Sequence, residues 1–275
     1  MRTALLVATL LWSSLGRAAN IIVPDDHATI QAAIDAATSF DTIQVRPGTY
    51  PEALVIPNRT VVIEGLGGDP VVAPGPTGRA FFVKGDVASL TLRDVDIDGA
   101  RIGVLATVSR LELERVDITH CVKGVIVTAT YLVIGDSSIT GCSSLGLRAS
   151  GPHPYVVGLT ASNNAGGGAK IKNKTRDQIA GSGTIQDSLF NDNGGSGLIY
   201  IDRYTSSITG SEASRNGKSG FYVVAKLLGV GLDDNQADDN GLYGFRTRGE
   251  PYDEATIIAN GNSATGNGVQ DYLIQ

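Results

Sequence analysis

Residues 190–201 read FNDNGGSGLIYI: an apolar residue, a polar turn with an asparagine and a glycine, and then a strand-like run. The first eight positions of this pattern recur four more times, with Asp271 in place of the glycine in the last copy: ASNNAGGG at 161–168, ASRNGKSG at 213–220, ADDNGLYG at 237–244 and ATGNGVQD at 264–271. The equivalent asparagines are 29, 23, 24 and 27 residues apart. Upstream, the frame continues with more degenerate turns that end at Gly103, Gly124 and Gly146. The body of the chain is therefore an internal repeat.

The length of the repeat selects the architecture. A unit of about 22–24 residues is shorter than a βαβ unit, which needs roughly 30 or more, and it lacks the leucine spacing of leucine-rich repeats. One coil of a parallel β-solenoid fits, because such a coil cannot bury its apolar face alone and must stack on its neighbours. Asparagine and glycine suit the turns, because both tolerate left-handed backbone. A β-sandwich of short strands is the alternative.

The composition excludes a disordered chain and a charged coiled coil. Charged residues make up 18% of the 275 residues and aromatic residues 6%, and 35 residues are glycine. The 22 Lys and Arg against 28 Asp and Glu give a net charge of −6, which does not favour a nucleic-acid binder.

The N-terminus has the pattern of a secretory signal peptide. Arg2 precedes an apolar run over residues 4–12, and Gly16 and Ala18 are small residues suited to a cleavage site. We expect cleavage after Ala18, which leaves residues 19–275 as one exported domain without a membrane span, secreted or periplasmic. Within it, we expect residues 19–65 to form a cap and first coil and residues 66–275 to form the repeats.

The start of the exported domain reads as a cap. The segment 29–37 (TIQAAIDAA) has helical apolar spacing and follows two acidic residues, and strands are expected around residues 42–45, 53–56 and 61–63. A helix over the first coil protects an open sheet edge.

The motifs TIQAAIDAA and IQVRPGTYPE (43–52) resemble the opening of right-handed parallel β-helix proteins of the pectin-lyase-like superfamily, such as pectinesterases and NosD-like periplasmic proteins. The resemblance implies an all-β fold: a right-handed parallel β-helix of roughly nine to ten coils with a short N-terminal α-helical cap. It supplies no catalytic residue, because the signatures of polygalacturonases, pectinesterases and alginate epimerases are absent; only Pro152-His153 matches part of the epimerase motif.

The repeat register predicts a basic patch on an outer face. The second and fourth positions after each repeat glycine point outward, and equivalent positions stack one strand apart. Arg148, Lys170 and Lys172 therefore cluster next to the segment that follows Lys172. Cations bind uronate carboxylates, tyrosine stacks on sugars, and Lys, Arg, His or Tyr can exchange the C5 proton. Our candidate catalytic residues are Lys172, Arg176, His153 and Tyr155, and our candidate substrate-binding residues are Arg148, Lys170, Lys174, Asp202, Arg203 and Tyr222. The alternative is a solvated loop whose cations serve solubility.

Two further pairs stack in the same register. Asp96 and Asp117 form a weak candidate for Ca²⁺ or for a glycosidase pair, although a structural ladder is the favoured interpretation. No other cofactor is indicated. Cys121 and Cys142 occupy equivalent positions in adjacent coils, and in an exported protein we expect them to form a disulfide. A buried thiol ladder is the alternative.

The sequence thus favours an exported polysaccharide-active protein, with a lyase or epimerase acting on uronate-rich polysaccharide as the favoured activity. A non-catalytic carbohydrate-binding or structural solenoid remains open as the alternative. A NosD-like accessory role is disfavoured, because His and Met, the ligands that copper handling needs, are scarce.

Overall fold

The computed structural model describes residues 18–85, 88–151, 153–173, 182–226, 229–249 and 257–274. They contain helix α1 (Ile30–Ala36) and twenty-four strands. The first twelve strands are β1 (Asn20–Val23), β2 (Thr42–Val45), β3 (Thr49–Tyr50), β4 (Leu54–Ile56), β5 (Thr60–Gly65), β6 (Val71–Val72), β7 (Arg79–Lys84), β8 (Ser89–Arg93), β9 (Asp96–Asp98), β10 (Ile102–Glu114), β11 (Asp117–Thr119) and β12 (Lys123–Gly135). The others are β13 (Ser138–Thr140), β14 (Leu147–Gly151), β15 (His153–Val157), β16 (Ala169–Asn173), β17 (Gly183–Gln186), β18 (Leu198–Asp202), β19 (Ser206–Thr209), β20 (Phe221–Ala225), β21 (Val230–Asp233), β22 (Tyr243–Gly249), β23 (Ile257–Asn260) and β24 (Gln270–Ile274).

The strands stack in parallel register into a solenoid of about ten coils, as the repeat predicts. The register is continuous from coil to coil, and one inward column runs through the molecule: Ile43, Ile63, Leu92, Leu113, Ile134, Val156, Ile185, Ile208 and Leu232. All nine side chains are buried. Each coil therefore completes the core of its neighbours, which is the physical reason that the repeat must stack.

Three faces enclose this core. The first face is formed by β4, β7, β14, β16, β18, β20, β22, β24 and the first halves of β10 and β12. The second face is formed mainly by β5, β8, β15, β17, β19, β21, β23 and the second halves of β10 and β12. The third face is a five-stranded sheet that continues toward the C-terminus as single bridges from Thr160 to Ser263.

Left-handed residues turn the chain after the second face. At this corner most coils place one residue with φ between 43° and 67°, and the column is Asp94, Arg115, Asp136, Gly158, Asp187, Gly210, Asp234 and Gly261. Aspartate and glycine dominate because they tolerate this conformation better than most residues. The corner is therefore specified locally in each repeat.

A ladder of buried asparagines ties the C-terminal coils together. Asn216 Oδ1 accepts hydrogen bonds from the backbone and side-chain nitrogens of Asn193, each at 3.0 Å, and Asn240 Oδ1 does the same for Asn216 at 2.9 and 3.0 Å. At the last coil, Asp271 Oδ1 accepts from Asn267 Nδ2 at 2.7 Å and from its backbone nitrogen at 3.3 Å. Asp271, where the repeat glycine is replaced, thus takes the place of the next asparagine.

The predicted N-terminal helix is present as α1. Thr29 Oγ1 accepts from the backbone nitrogen of Ala32 at 3.1 Å, as an N-cap residue does. The Glu52 carboxylate, from the following coil, accepts from the backbone nitrogens of Ile30 and Gln31 at 2.9 Å each. Residues Ile30, Ala33 and Ile34 are buried over the first coil, so the helix covers the N-terminal end of the core.

The predicted signal peptide lies almost entirely outside the described residues, and the division of the chain at Ala18 remains a prediction. Over the described ranges, no helix has the length and apolar character needed to cross a lipid bilayer.

Candidate functional site

The structure confirms the stacking register on which the basic patch was predicted. Arg148 pairs with Lys170, and Ser150 pairs with Lys172, across the parallel strands β14 and β16. The three cationic side chains line one surface depression of about 230 Å³ together with Ile126 and Thr128 of the preceding coil. We call Arg148, Lys170 and Lys172 the basic patch.

Arg148 and Lys170 differ from the surface cations that are held in ion pairs, such as Arg46 and Arg215. Among the described residues, neither Arg148 nor Lys170 has a carboxylate oxygen within 4.0 Å. Like charges one strand apart are unfavourable, so a site of this kind is suited to a bound anion.

Charge is segregated between the faces of the solenoid. The first-face strands carry Arg79, Lys84, Lys123, Arg148, Lys170, Lys172, Arg246 and Arg248, and their described carboxylates are Asp202, which is buried, and Asp271, on the last strand. On the second face, by contrast, Arg93 and Arg110 both bind Glu112, at 2.9 Å. The first face of this acidic protein thus carries mostly positive charges.

His153 and Tyr155 lie on the next stretch of the same coil, beyond Gly151. Gly151 has a φ of +159°, and a Cβ there would lie 1.7 Å from the carbonyl oxygen of Ala129, so this position requires glycine. The His153 ring stacks on Tyr131, with centroids 4.9 Å apart and planes at 13°. Tyr155 is 52% exposed and opposes Val133 and Thr184. Neither residue lines the depression that holds the basic patch.

A buried polar cluster lies under the C-terminal ends of the first-face strands β16 and β18. Three donors approach Ser206 Oγ: Asn173 Nδ2 at 3.1 Å, the backbone nitrogen of Gly183 at 2.9 Å and Tyr200 Oη at 2.9 Å. Asp202 pairs with Asn173 in register and accepts from the backbone nitrogen of Tyr204 through Oδ1 at 2.9 Å. Within the described part of the chain, Asp202 Oδ2 has no hydrogen-bond partner. Burial raises the pKa of Asp202 to about 6 and also raises that of Tyr200.

The cluster corrects one predicted site residue. Asp202 was expected to bind substrate, but its side chain is fully buried, so a polysaccharide on the surface cannot contact it. The alternation that points the second and fourth positions after Gly197 outward points the fifth, Asp202, inward. The alternation in the sequence therefore predicts that the Asp202 side chain points inward, and it predicts the same for Asn173, the fifth position after Gly168.

The other predicted substrate-binding residues are dispersed. Tyr222 lies two strand steps from Lys170 through Ile199, and the Arg246 guanidinium sits 4.8 Å above its ring. Arg203 is exposed just after β18. Lys174 and Arg176 lie outside the described residues, and their predicted roles remain untested.

The structure does not contain the predicted disulfide. Cys121 and Cys142 are free and buried, and burial raises their thiol pKa values to about 11 and about 12. The stacking itself is present, since Ser143 N donates to Cys121 O at 2.9 Å. Stacking in adjacent coils brings the two residues near each other, but a disulfide also needs a specific Cβ approach and dihedral angle, which the repeat period does not specify. The alternative of a buried thiol ladder describes this structure.

Asp96 and Asp117 stack on the third face, as predicted. The pKa of Asp96 is raised, mainly by burial and then by the negative charges of Asp117 and Asp69. Arg115 binds Asp94 at 2.6 Å on the neighbouring turn. Over the described ranges, no group of three or more His, Cys, Asp or Glu side chains is arranged to hold a metal ion.

Comparisons with known proteins show which solved structures this fold is similar to. No curated protein matches the chain. Among solved structures, the PL6 family alginate lyase AlyGC is similar, with 14% identity, a TM-score of 0.61 and coverage of 90% of this chain but only 40% of that protein. The pectate lyase Pel9A shares 15% identity with a TM-score of 0.51, covering 94% of this chain and 80% of that one. This chain thus spans less than half of the alginate lyase, and at these identities the likeness shows the fold.

The family is shown by a sequence model. The model described as "Right handed beta helix region" matches residues 79–227 and 124–274, which together make up most of the chain. This match and the parallel stacking of about ten coils agree. The chain therefore belongs to the right-handed β-helix family.

Proposed function

We propose that this chain is an exported protein that acts on an acidic, uronate-rich polysaccharide, as a lyase or an epimerase. The observation that carries the proposal is the first face, where Arg148 and Lys170 have no described carboxylate partner and share a depression with Lys172. The two similar structures are named as alginate and pectate lyases, which agrees with the proposal.

The basic patch suits the chemistry of a uronate. A cation that binds the C6 carboxylate stabilises the negative charge that develops when a base removes the C5 proton. In elimination, the electron pair forms a C4–C5 double bond as the C4–O bond breaks, and the departing oxygen takes up a proton. In epimerisation, a proton returns to C5 from the opposite side. Lys172 is the catalytic candidate that the described structure places in the patch, while His153, Tyr155 and Arg176 remain candidates for proton transfer.

A non-catalytic carbohydrate-binding solenoid is the second candidate. It is favoured by the separation of His153 and Tyr155 from the depression and by the absence of the polygalacturonase, pectinesterase and alginate-epimerase signatures from the sequence. The two functions differ in one respect that can be measured, because removal of Lys172 abolishes turnover in an enzyme but only weakens binding in a binding module.

The first experiment measures unsaturated uronate by ultraviolet absorbance. The protein is incubated with polygalacturonate, alginate and a neutral glucan, with and without Ca²⁺, and binding is measured in parallel. Proton exchange at C5 in deuterated water detects an epimerase that gives no absorbance. We expect turnover with one acidic polymer and its loss in Lys172→Gln. Binding without turnover or exchange favours the binding module, and no binding to either acidic polymer refutes the proposal.

Two pairs of substitutions test whether the basic patch binds the polysaccharide. Arg148→Gln with Lys170→Gln removes two cations from the patch, whereas Arg46→Gln with Arg215→Gln removes two cations from exposed ion pairs with Asp25 and Asp192. We expect the first pair to weaken binding at least tenfold and the second to change it less than twofold. Export is tested separately by N-terminal sequencing of the product released from an expressing cell, for which we expect Ala19 as the first residue.

A further inference from the structure

A second cationic pocket lies on the first face, toward the N-terminus from the basic patch. The Arg79 guanidinium sits over the Phe82 ring at 4.9 Å. Arg101, one coil further on, donates from its backbone nitrogen to the carbonyl oxygen of Gly78 at 2.8 Å. With Val55, these side chains line a surface pocket of about 250 Å³.

This pocket has the groups needed to bind a carboxylate-bearing sugar. Among the described residues, no carboxylate oxygen comes within 4.0 Å of either guanidinium. A guanidinium stacked on an aromatic ring keeps its N–H edge available for a bidentate contact with a carboxylate. Val55, 52% exposed, and Phe82 provide an apolar surface for the C–H groups of a sugar ring.

The pocket is aligned with the basic patch along the axis of the solenoid. Phe82, Leu105, Ile126 and Arg148 occupy equivalent positions in successive coils. Three strand steps therefore separate Phe82 from Arg148, a distance of about 14 Å. An extended polysaccharide of several sugars lying along this column can therefore contact both places at once, whereas a short oligomer cannot.

We propose that the pocket formed by Arg79, Phe82 and Arg101 is a second anion-binding subsite for the same acidic polysaccharide, about three coils from the basic patch. This inference rests on the proposed function. It makes affinity depend on chain length, because a short oligomer occupies the basic patch alone while a longer one also reaches the pocket. Since both contacts are charged and lie at the surface, salt weakens the longer complex more steeply.

The test compares trimers and octamers of galacturonate and of alginate uronates, with neutral malto-oligosaccharides of the same lengths. Binding is measured calorimetrically for the wild type and for Arg79→Gln with Arg101→Gln. We expect the wild type to bind the octamer at least tenfold more tightly than the trimer. The variant should lose about tenfold on the octamer and less than twofold on the trimer. The Arg46→Gln and Arg215→Gln pair, which changes net charge equally, should behave as the wild type.

The outcomes separate the two proposals. If the variant binds the octamer as tightly as the wild type does, the pocket is not a subsite, while the proposed function stands. An equal loss on trimer and octamer also overturns the subsite, because the effect would then not depend on reaching the pocket. If no acidic oligomer binds to the wild type, the proposed function itself fails. Thermal unfolding of each variant verifies that the fold is intact, and Arg79→Lys with Arg101→Lys, which keeps the charge, should retain part of the length dependence.

Discussion

Asp202 makes stability fall as pH rises through the region of pH 6. Its carboxyl group is fully buried, and burial raises its pKa to about 6 from 3.8. The folded state therefore binds the proton more tightly than the unfolded state does. A group of this kind contributes its full stabilisation below pH 3.8 and loses it as pH rises through about 6. The difference of about two pKa units corresponds to about 3 kcal/mol in the free energy of unfolding.

The perturbation that isolates this effect is Asp202→Asn. The amide has nearly the same shape but no charge, so the variant lacks this part of the pH dependence. At pH 8 we expect the variant to be more stable than the wild type by up to about 3 kcal/mol, and near pH 4 we expect the advantage to vanish or reverse. Carboxylates in ion pairs, such as Asp94 and Asp192, have lowered pKa values and remain charged above pH 5, so they do not contribute in the decisive range.

The assay is denaturant-induced unfolding of both proteins between pH 4 and pH 8. The quantity of interest is the difference between their free energies of unfolding at each pH, which cancels the groups that they share. Ser207→Ala, a change at a less buried position of the next strand, β19, serves as the control and should run parallel to the wild type. Parallel pH profiles for the wild type and Asp202→Asn would refute the reasoning, because Asp202 would then titrate alike in both states.

Three further experiments test the architecture of the solenoid. Asn216→Ala removes the acceptor of two hydrogen bonds from Asn193 and leaves a buried backbone nitrogen unpaired, so unfolding experiments should show a loss of about 3 kcal/mol; a loss below about 1 kcal/mol would contradict the ladder. Asp271→Ala uncaps Asn267 and should lower stability by about 1–2 kcal/mol, whereas Asp271→Asn, which keeps the acceptor, should be nearly neutral. Cys121 and Cys142 are buried, so in the folded protein they should not react with a thiol reagent. When the protein is unfolded in the absence of reductant, two equivalents of thiol should react. If no thiol reacts after unfolding, the two cysteines are oxidised to a disulfide.

The stacking register was predictable because each repeat contains the same short-range pattern of turn residues and alternating apolar residues. Equivalent residues such as Arg148 and Lys170 were placed opposite each other by counting from the repeat glycines, and the structure pairs them as counted. This works because the alternation of side chains and the one-coil period leave a single way to bury the apolar positions. The cap helix was predictable for the same reason, because its apolar spacing is contained within nine consecutive residues.

Other features depended on distances between atoms that a register cannot supply. The two cysteines stack in adjacent coils as counted, but both thiols are free in the structure, and the register fixes the coil of each cysteine without fixing the geometry of a bond between them. Glu52 was not recognised as a partner of the cap helix, because it comes from another coil. The partners of Arg93 and Arg110 show the same limit: spacing alone does not tell which cations meet a carboxylate and which do not.

The sequence by itself determined the solenoid, its coil length and the outward columns, because each coil repeats the same short-range conformational preferences. Only the tertiary structure decided which charges remain without a partner, since ionic neutralisation depends on side chains brought together from different coils. It also decided that Asp202 lies inside the core at the end of its strand and that Arg79 and Arg101 line one pocket with Phe82. The local conformational preferences of the residues determine the path of the backbone. The chemistry of the surface sites depends instead on which side chains are exposed to solvent and which side chains from separate coils approach each other.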